Sequence, residues 1–348
     1  GGSQYPPLRE PVMQRILIVQ TAFIGDVILI TPLIRAVHEL YPDAAIDALV
    51  VPAAAKLLQN NPHLHKVLSY PKRQSPLKAM QTIVRDLKAR QYDMAISPHS
   101  SGRTHLILYL ARIPIRVGFD RGTLPFLLTL KTPHPKGIHK IEKNLSLLRL
   151  LSDRQFSMQT ELFPSASDFT VVDTLLKDLQ GKRLIAMAPG SVWATKCWPV
   201  EYYLDLAKGL LQHGFALLLI GGKEDKPKCD VIATEIGTQQ VRNLAGQTNL
   251  LESAAAISQC KAMICNDSGA LHLANAMKVK VFAFFGPTVQ RIGYYPYREG
   301  DRVFETDLDC RPCSSHGPQK CPLKHHKCMR LITPAAVLDE ILKSLEQA

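Results

Sequence analysis

The run Asn266-Asp267-Ser268-Gly269-Ala270 leaves an apolar stretch and enters a helical one, and residues of these types in this order can hold phosphate. Apolar residues up to Ile264 suit a buried parallel strand. The small polar residues turn the chain, and the N–H groups of Gly269 and Ala270 open a helix whose N-terminal end attracts anions. His272 falls near the first turn of that helix, and Val279–Phe285 reads as a second strand ending in Gly286-Pro287-Thr288. In such a β-turn-α-β unit the ligand sits beyond the strand C-termini. Reactive side chains gather again at Cys310-x2-Cys313-x7-Cys321-x6-Cys328, with His316, His325 and His326 among them. Spacing alone leaves structural zinc, an iron–sulfur cluster, disulfides and a reduced, redox-labile loop all open.

The elements that must position these residues repeat. Arg15–Gln20 is a short apolar strand, followed by a tight turn through Thr21–Asp26 and a helical stretch over about 27–40. Strands at Ala45–Val51, Lys66–Ser69, Tyr92–Ser97 and Arg116–Gly118 alternate with helices at about 53–60, 76–90, 102–110 and 139–151. A stretch rich in Ser, Pro and Gln at 153–168 reads as a linker, after which the alternation resumes. Helices at about 171–179, 200–213, 227–236 and 251–258 interleave with strands at 183–188 and 215–220. Such alternation predicts parallel α/β sheets. The expectation is two Rossmann-like, doubly wound domains facing a cleft, spanning 12–165 and 166–333, with a closing helix in 334–348 that crosses back towards the first.

The chain has 348 residues and a formal net charge of +12. Residues 1–165 hold 21 Lys/Arg against 11 Asp/Glu, a net +10, so the basic surface belongs to the first half. No recognition helix, zinc finger or aromatic-plus-basic strand accompanies it, which argues against nucleic acid. Anionic lipid headgroups or a phosphorylated acceptor fit better. No apolar run approaches the length of a membrane span, and the first residues, GGSQYPPLREPVMQ, lack the apolar stretch of a signal peptide. A cytoplasmic protein is the expectation.

Four segments in fixed order, FIGDVILITPLIRAVHELYPDAAIDALV, APGSVWATKCWP, LIGGKEDK and CNDSGALHLANAMKVKVFAFFGPT, resemble the ADP-heptose:lipopolysaccharide heptosyltransferases of glycosyltransferase family 9. The resemblance spans about 15–345. It implies a GT-B fold, an acceptor held by the first domain, an ADP-sugar held by the second, and inversion at the anomeric carbon. Asp26 of Ile24-Gly25-Asp26 matches the family's catalytic base, and a carboxylate beside the cleft can take a proton from an attacking hydroxyl. The same residue could instead cap a helix starting at Val27.

The resemblance assigns Lys196 to the departing diphosphate, whose growing negative charge an ammonium stabilises without a metal. Gly190 and Ser191 form the turn beside it. Val192 stands where the family often has a second hydroxyl, and Thr195 is the candidate substitute. Asp267, Ser268, Gly269, Ala270 and His272 match the donor motif, and Glu224 stands where a carboxylate would meet ribose hydroxyls. Trp193 and Trp198 read as packing residues. Gly25, Arg103, Arg112, Arg116 and Arg121 are the acceptor-side candidates, because an inner-core lipopolysaccharide or lipid A acceptor carries phosphates and carboxylates.

Arg311, Lys320, Lys324, Lys327 and Arg330 offer further charge for the diphosphate or acceptor. The resemblance further implies no cofactor beyond the donor ADP-heptose, no metal in the chemistry, and a monomer working against the anionic cytoplasmic face of the inner membrane. A different nucleotide sugar or surface glycan, or a non-catalytic nucleotide-sugar-binding role, are the alternatives.

Overall fold

Apolar runs too short for helices, each followed by an amphipathic stretch, fold as parallel strands with helical crossovers. The computed structural model describes residues 13–71 and 76–346. The expected domain limits at residue 12 and at 347–348 lie outside the described residues. In the first half the strands are β1 (Arg15–Gln20), β2 (Ala45–Val50), β3 (Lys66–Ser69), β4 (Met94–Ser97), β5 (Ile115–Phe119) and β6 (Leu130–Thr132), in sheet order β3-β2-β1-β4-β5-β6. The second half has β7 (Arg183–Ala188), β8 (Phe215–Leu219), β9 (Val241–Asn243), β10 (Ala262–Asn266), β11 (Lys280–Phe285) and β12 (Arg302–Glu305). Their order is β12-β11-β10-β7-β8-β9.

Every pairing in both sheets is parallel. Numbered within its own half, each sheet therefore has the doubly wound order 3-2-1-4-5-6, and strand order reverses between β1 and β4 and between β7 and β10. Crevices for ligands open at those two switch points, past the strand C-termini. Burial on both faces explains the unbroken apolar character of the central strands: Ile16 to Val19 of β1 and Met263 to Cys265 of β10 are fully buried.

The expected helix over 27–40 is two helices, Ile24–Ile28 and Thr31–Leu40, because Pro32 opens the second and cannot sit inside a continuous one. Helix Ile24–Ile28 packs against helix Gly269–Ala276, so the turn after β1 meets the turn after β10. The C-terminal helix Pro334–Glu346 packs on the second half rather than crossing back. Val337 and Ile341 join the apolar cluster around Trp198 and Phe284, Leu338 rests on Gly209, and Lys280 Nζ donates to the Ser344 carbonyl at 2.8 Å. Among the described residues no helix is long and apolar enough to cross a membrane.

Candidate active site

Both switch points hold the residues singled out from the sequence. Past β1, Asp26 is the third residue of helix Ile24–Ile28, whose N-cap is Phe23. Asp26 is thus inside the helix and does not cap it. Its carboxylate is buried and accepts a hydrogen bond at Oδ1 from the Tyr294 hydroxyl of the second half, at 3.0 Å. Lys140 lies on the same side: burial lowers the pKa of its ammonium, and the Asp26 charge opposes that shift.

Past β7 and β10, Asn266 fastens the lysine loop to the strand end. Its Oδ1 accepts from the Trp198 N–H at 2.9 Å and its Nδ2 donates to the Gly190 carbonyl at 3.1 Å. Lys196 is thereby brought to Asp267, and its Nζ donates to Oδ2 at 2.6 Å, with the Thr288 hydroxyl donating to the same oxygen at 2.7 Å. Ser268 is the N-cap of helix Gly269–Ala276, and its side chain makes no capping hydrogen bond. That helix starts directly after Asp267, the residue that holds the lysine.

His272 joins the two walls. A Cβ on Gly25 would lie 2.8 Å from its ring, so only glycine permits this approach. Burial drives the imidazole down to about 3; His139 pushes the same way, Asp26 opposes, and Lys196 again lowers it. One neutral ring therefore senses both the carboxylate of the first half and the ammonium of the second. A family model described as glycosyltransferase family 9 (heptosyltransferase) matches residues 80–324.

The chain belongs to glycosyltransferase family 9.

Lipopolysaccharide heptosyltransferase 2 of Salmonella typhimurium is 26% identical over 371 residues, covering 96% of this chain and 99% of the relative. Lipooligosaccharide heptosyltransferase 2 of Haemophilus ducreyi is 29% identical over 292 residues, with 79% and 84% covered. A solved family 9 glycosyltransferase from Veillonella parvula superposes with a TM-score of 0.84 at 21% identity, over 96% of this chain and 98% of that one. The E. coli ADP-heptose lps heptosyltransferase II gives 0.79 at 24% identity, over 96% and 99%. Both structural likenesses speak to the fold, which is GT-B.

Within this family 9 glycosyltransferase the first half holds a cavity of about 630 Å³ at the β1–β4 switch point, lined by Thr21, Ser101, Gly102, Arg103 and Thr123. Arg103 is an exposed residue in the first turn of helix Gly102–Leu110. Arg121 follows β5 at the same edge, its guanidinium 3.5 Å from His134 Nδ1. Arg112 and Arg116 do not join them. Both precede or begin β5 and so sit at the strand's N-terminal end, opposite the crevice. Arg116 donates to the carbonyls of Ile113, Pro114 and Leu127, a structural use of its charge.

Thr195 also has another task. Its hydroxyl donates to the Pro318 carbonyl and is not placed as a second phosphate contact. Glu224 is exposed after β8, while its neighbour Asp225, passed over in the sequence, fills the space between the ends of β7 and β8. A Cβ on Gly190 would lie 1.8 Å from Asp225 Oδ1, and Asp225 Oδ2 accepts the Gly222 N–H at 3.0 Å. The run Gly-Gly-Lys-Glu-Asp offered either acid. Trp198 is a packing residue, stacked on Phe284 at 4.3 Å.

The cysteine segment forms a wall behind the phosphate residues. Arg311, 5% exposed, donates to the carbonyls of Phe285, Gly286 and Thr288 rather than facing the diphosphate. Gln319 accepts the Ala194 N–H at 3.1 Å, and His326 Nε2 meets the Thr195 carbonyl at 2.7 Å. Cys310, Cys313, Cys321 and Cys328 are free thiols. Among the described residues no three His, Cys, Asp or Glu side chains are grouped to hold a metal ion.

Proposed function

We propose that this glycosyltransferase moves heptose from ADP-heptose to an inner-core lipopolysaccharide acceptor, with inversion at the anomeric carbon. The relatives' names support the sugar and the acceptor. The observation that supports the mechanism is the packing of the Asp26 helix against helix Gly269–Ala276, just before which Asp267 holds Lys196; this favours Asp26 as the base and Lys196 as the phosphate-binding ammonium. An acceptor hydroxyl held in the Arg103 cavity attacks the anomeric carbon from the face opposite the diphosphate. As the new C–O bond forms, the hydroxyl proton passes to the Asp26 carboxylate. The bond from the anomeric carbon to the β-phosphate oxygen breaks and its electron pair leaves with ADP. Lys196, the Ser268 hydroxyl and the N–H groups of Gly269 and Ala270 receive that charge.

No cofactor besides the donor enters this scheme, and both walls come from one chain, so a monomer suffices. Leu77, 74% exposed, and Phe126, 69% exposed, flank the acceptor half together with its basic residues. That combination suits peripheral contact with the anionic cytoplasmic face of the inner membrane, where a lipid-linked acceptor lies. The deciding experiment incubates the protein with ADP-heptose and heptose-deficient lipopolysaccharide and follows ADP release. Turnover with ADP-heptose and none with UDP-sugars is the expected result; equal turnover with a UDP-sugar would overturn the donor assignment.

A further inference from the structure

We infer that Tyr294 is a positioning residue for the base, delivered from the second half so that Asp26 is oriented for proton transfer only while the two halves are docked. The inference rests on Asp26 acting as the base.

Tyr294 is separated from Asp26 by 268 positions, yet its hydroxyl donates to Oδ1 at 3.0 Å. The backbone on either side of it is anchored to the first half. The Lys140 N–H donates to the Gly293 carbonyl at 2.8 Å, and His139 Nε2 meets the Tyr295 carbonyl at 3.0 Å. Gly293 has φ of +102°, and a Cβ there would lie 2.7 Å from the Ile138 carbonyl, so the tight approach requires glycine. The segment 293–295 is thus clamped at two points with the tyrosine aimed between them. Its ring lies 6.2 Å from His272, on the ring that borders Gly25. Burial, followed by the Asp26 charge, pushes the phenol well above the usual tyrosine range, so it remains a donor throughout the working range.

A carboxylate with Oδ1 fixed by a donor cannot rotate freely, and its second oxygen is left for the acceptor hydroxyl. The hydrogen bond also crosses between the halves. Proton abstraction therefore depends on the docking that brings the first half up to a donor held by the second, which protects the sugar nucleotide from water while the halves are apart.

The test compares Tyr294→Phe, Asp26→Asn and the double variant at saturating donor and acceptor. Tyr294→Phe keeps the ring and loses only the donor. The expectation is a fall in kcat of about tenfold with the KM for ADP-heptose unchanged, the scale of one hydrogen bond to a charged group. In the Asp26→Asn background the same change adds no further loss, because there is no carboxylate left to orient. An unaltered kcat in Tyr294→Phe, or an equal fold-loss in both backgrounds, would overturn the positioning role. Full turnover by Asp26→Asn would instead remove the base assignment itself, whatever Tyr294 does.

Discussion

Lys196 and Asp267 form an ion pair at 2.6 Å in which both side chains are about nine-tenths buried, and Thr288 donates to the same carboxylate oxygen. A buried ammonium held this way is ready for a diphosphate without rearranging its loop, and Asp267 need not touch phosphate at all. Replacing Lys196 by Ala should lower kcat by about 10²–10³, the loss seen when one preorganised charge-stabilising donor is removed. Asp267→Ala strands the ammonium in a buried site and should cost about 3–5 kcal/mol of folding stability. Steady-state kinetics and denaturant unfolding separate the two; loss of activity in Lys196→Ala without a kcat effect, through KM alone, would contradict a transition-state role.

The arginines of the first half should divide into two behaviours. Arg103 lines the cavity at the β1–β4 switch point, and Arg103→Ala should raise the acceptor KM by about tenfold. Arg116 holds the carbonyls of Ile113, Pro114 and Leu127, so Arg116→Ala should lose about 1–3 kcal/mol of stability with an unchanged acceptor KM. Identical acceptor kinetics in the two variants would contradict this division.

Gly25 offers a steric test of the crevice. A methyl group there meets the His272 ring at 2.8 Å, and that ring belongs to the helix packed against the Asp26 helix. Gly25→Ala should force the helices apart and lower kcat more than it raises donor KM, measured at saturating acceptor. Wild-type kinetics would show that the approach is not needed for turnover.

The parts of this arrangement legible in the sequence were those written locally. β1, β3 and helices Pro76–Arg90 and Gly102–Leu110 have the bounds read from their apolar runs and flanking turns. β6, β9 and β12 escaped because they are edge strands of three or four residues with no fully buried position, which leaves no apolar run to recognise. Asp26, Lys196 and Asp267 follow strand ends and carry motif signals. Tyr294 and Lys140 have none, since only tertiary docking brings them to Asp26. Positive charge alone also could not say at which end of β5 an arginine would lie, and Arg112 and Arg116 fell at the wrong one.

Histidine burial sets an acid limit on stability. His63, His105, His134, His139 and His272 are all lowered, by desolvation first, with His134 at about 4 and His272 at about 3. The unfolded chain takes up these protons from about pH 6.5 downward while the folded chain resists, so stability falls as pH drops below 6.5. Asp301, raised by burial, works in the opposite direction but is a single group. The thermal midpoint should be lower at pH 5 than at pH 7, and His272→Gln should reduce that difference. A midpoint that rises on acidification would contradict the sign.

Among the cysteines, Cys321 should be the reactive one. Desolvation pushes its thiol up, but the backbone N–H groups of His326, Leu323, His325 and Lys324 together outweigh it and lower the pKa. Burial instead lifts Cys328 to about 11 and Cys229 to about 12, and raises Cys260 and Cys265 further. Thiolate is the nucleophile, so iodoacetamide at neutral pH should label Cys321 well before these four. Because the surrounding segment hydrogen-bonds to the Lys196 loop through Gln319 and His326, a bulky adduct on Cys321 should also weaken ADP binding. Peptide mapping of the labelled protein alongside ADP-induced thermal shifts reads both effects. First labelling at Cys328, or an unchanged thermal shift after Cys321 modification, would contradict the respective half of the argument.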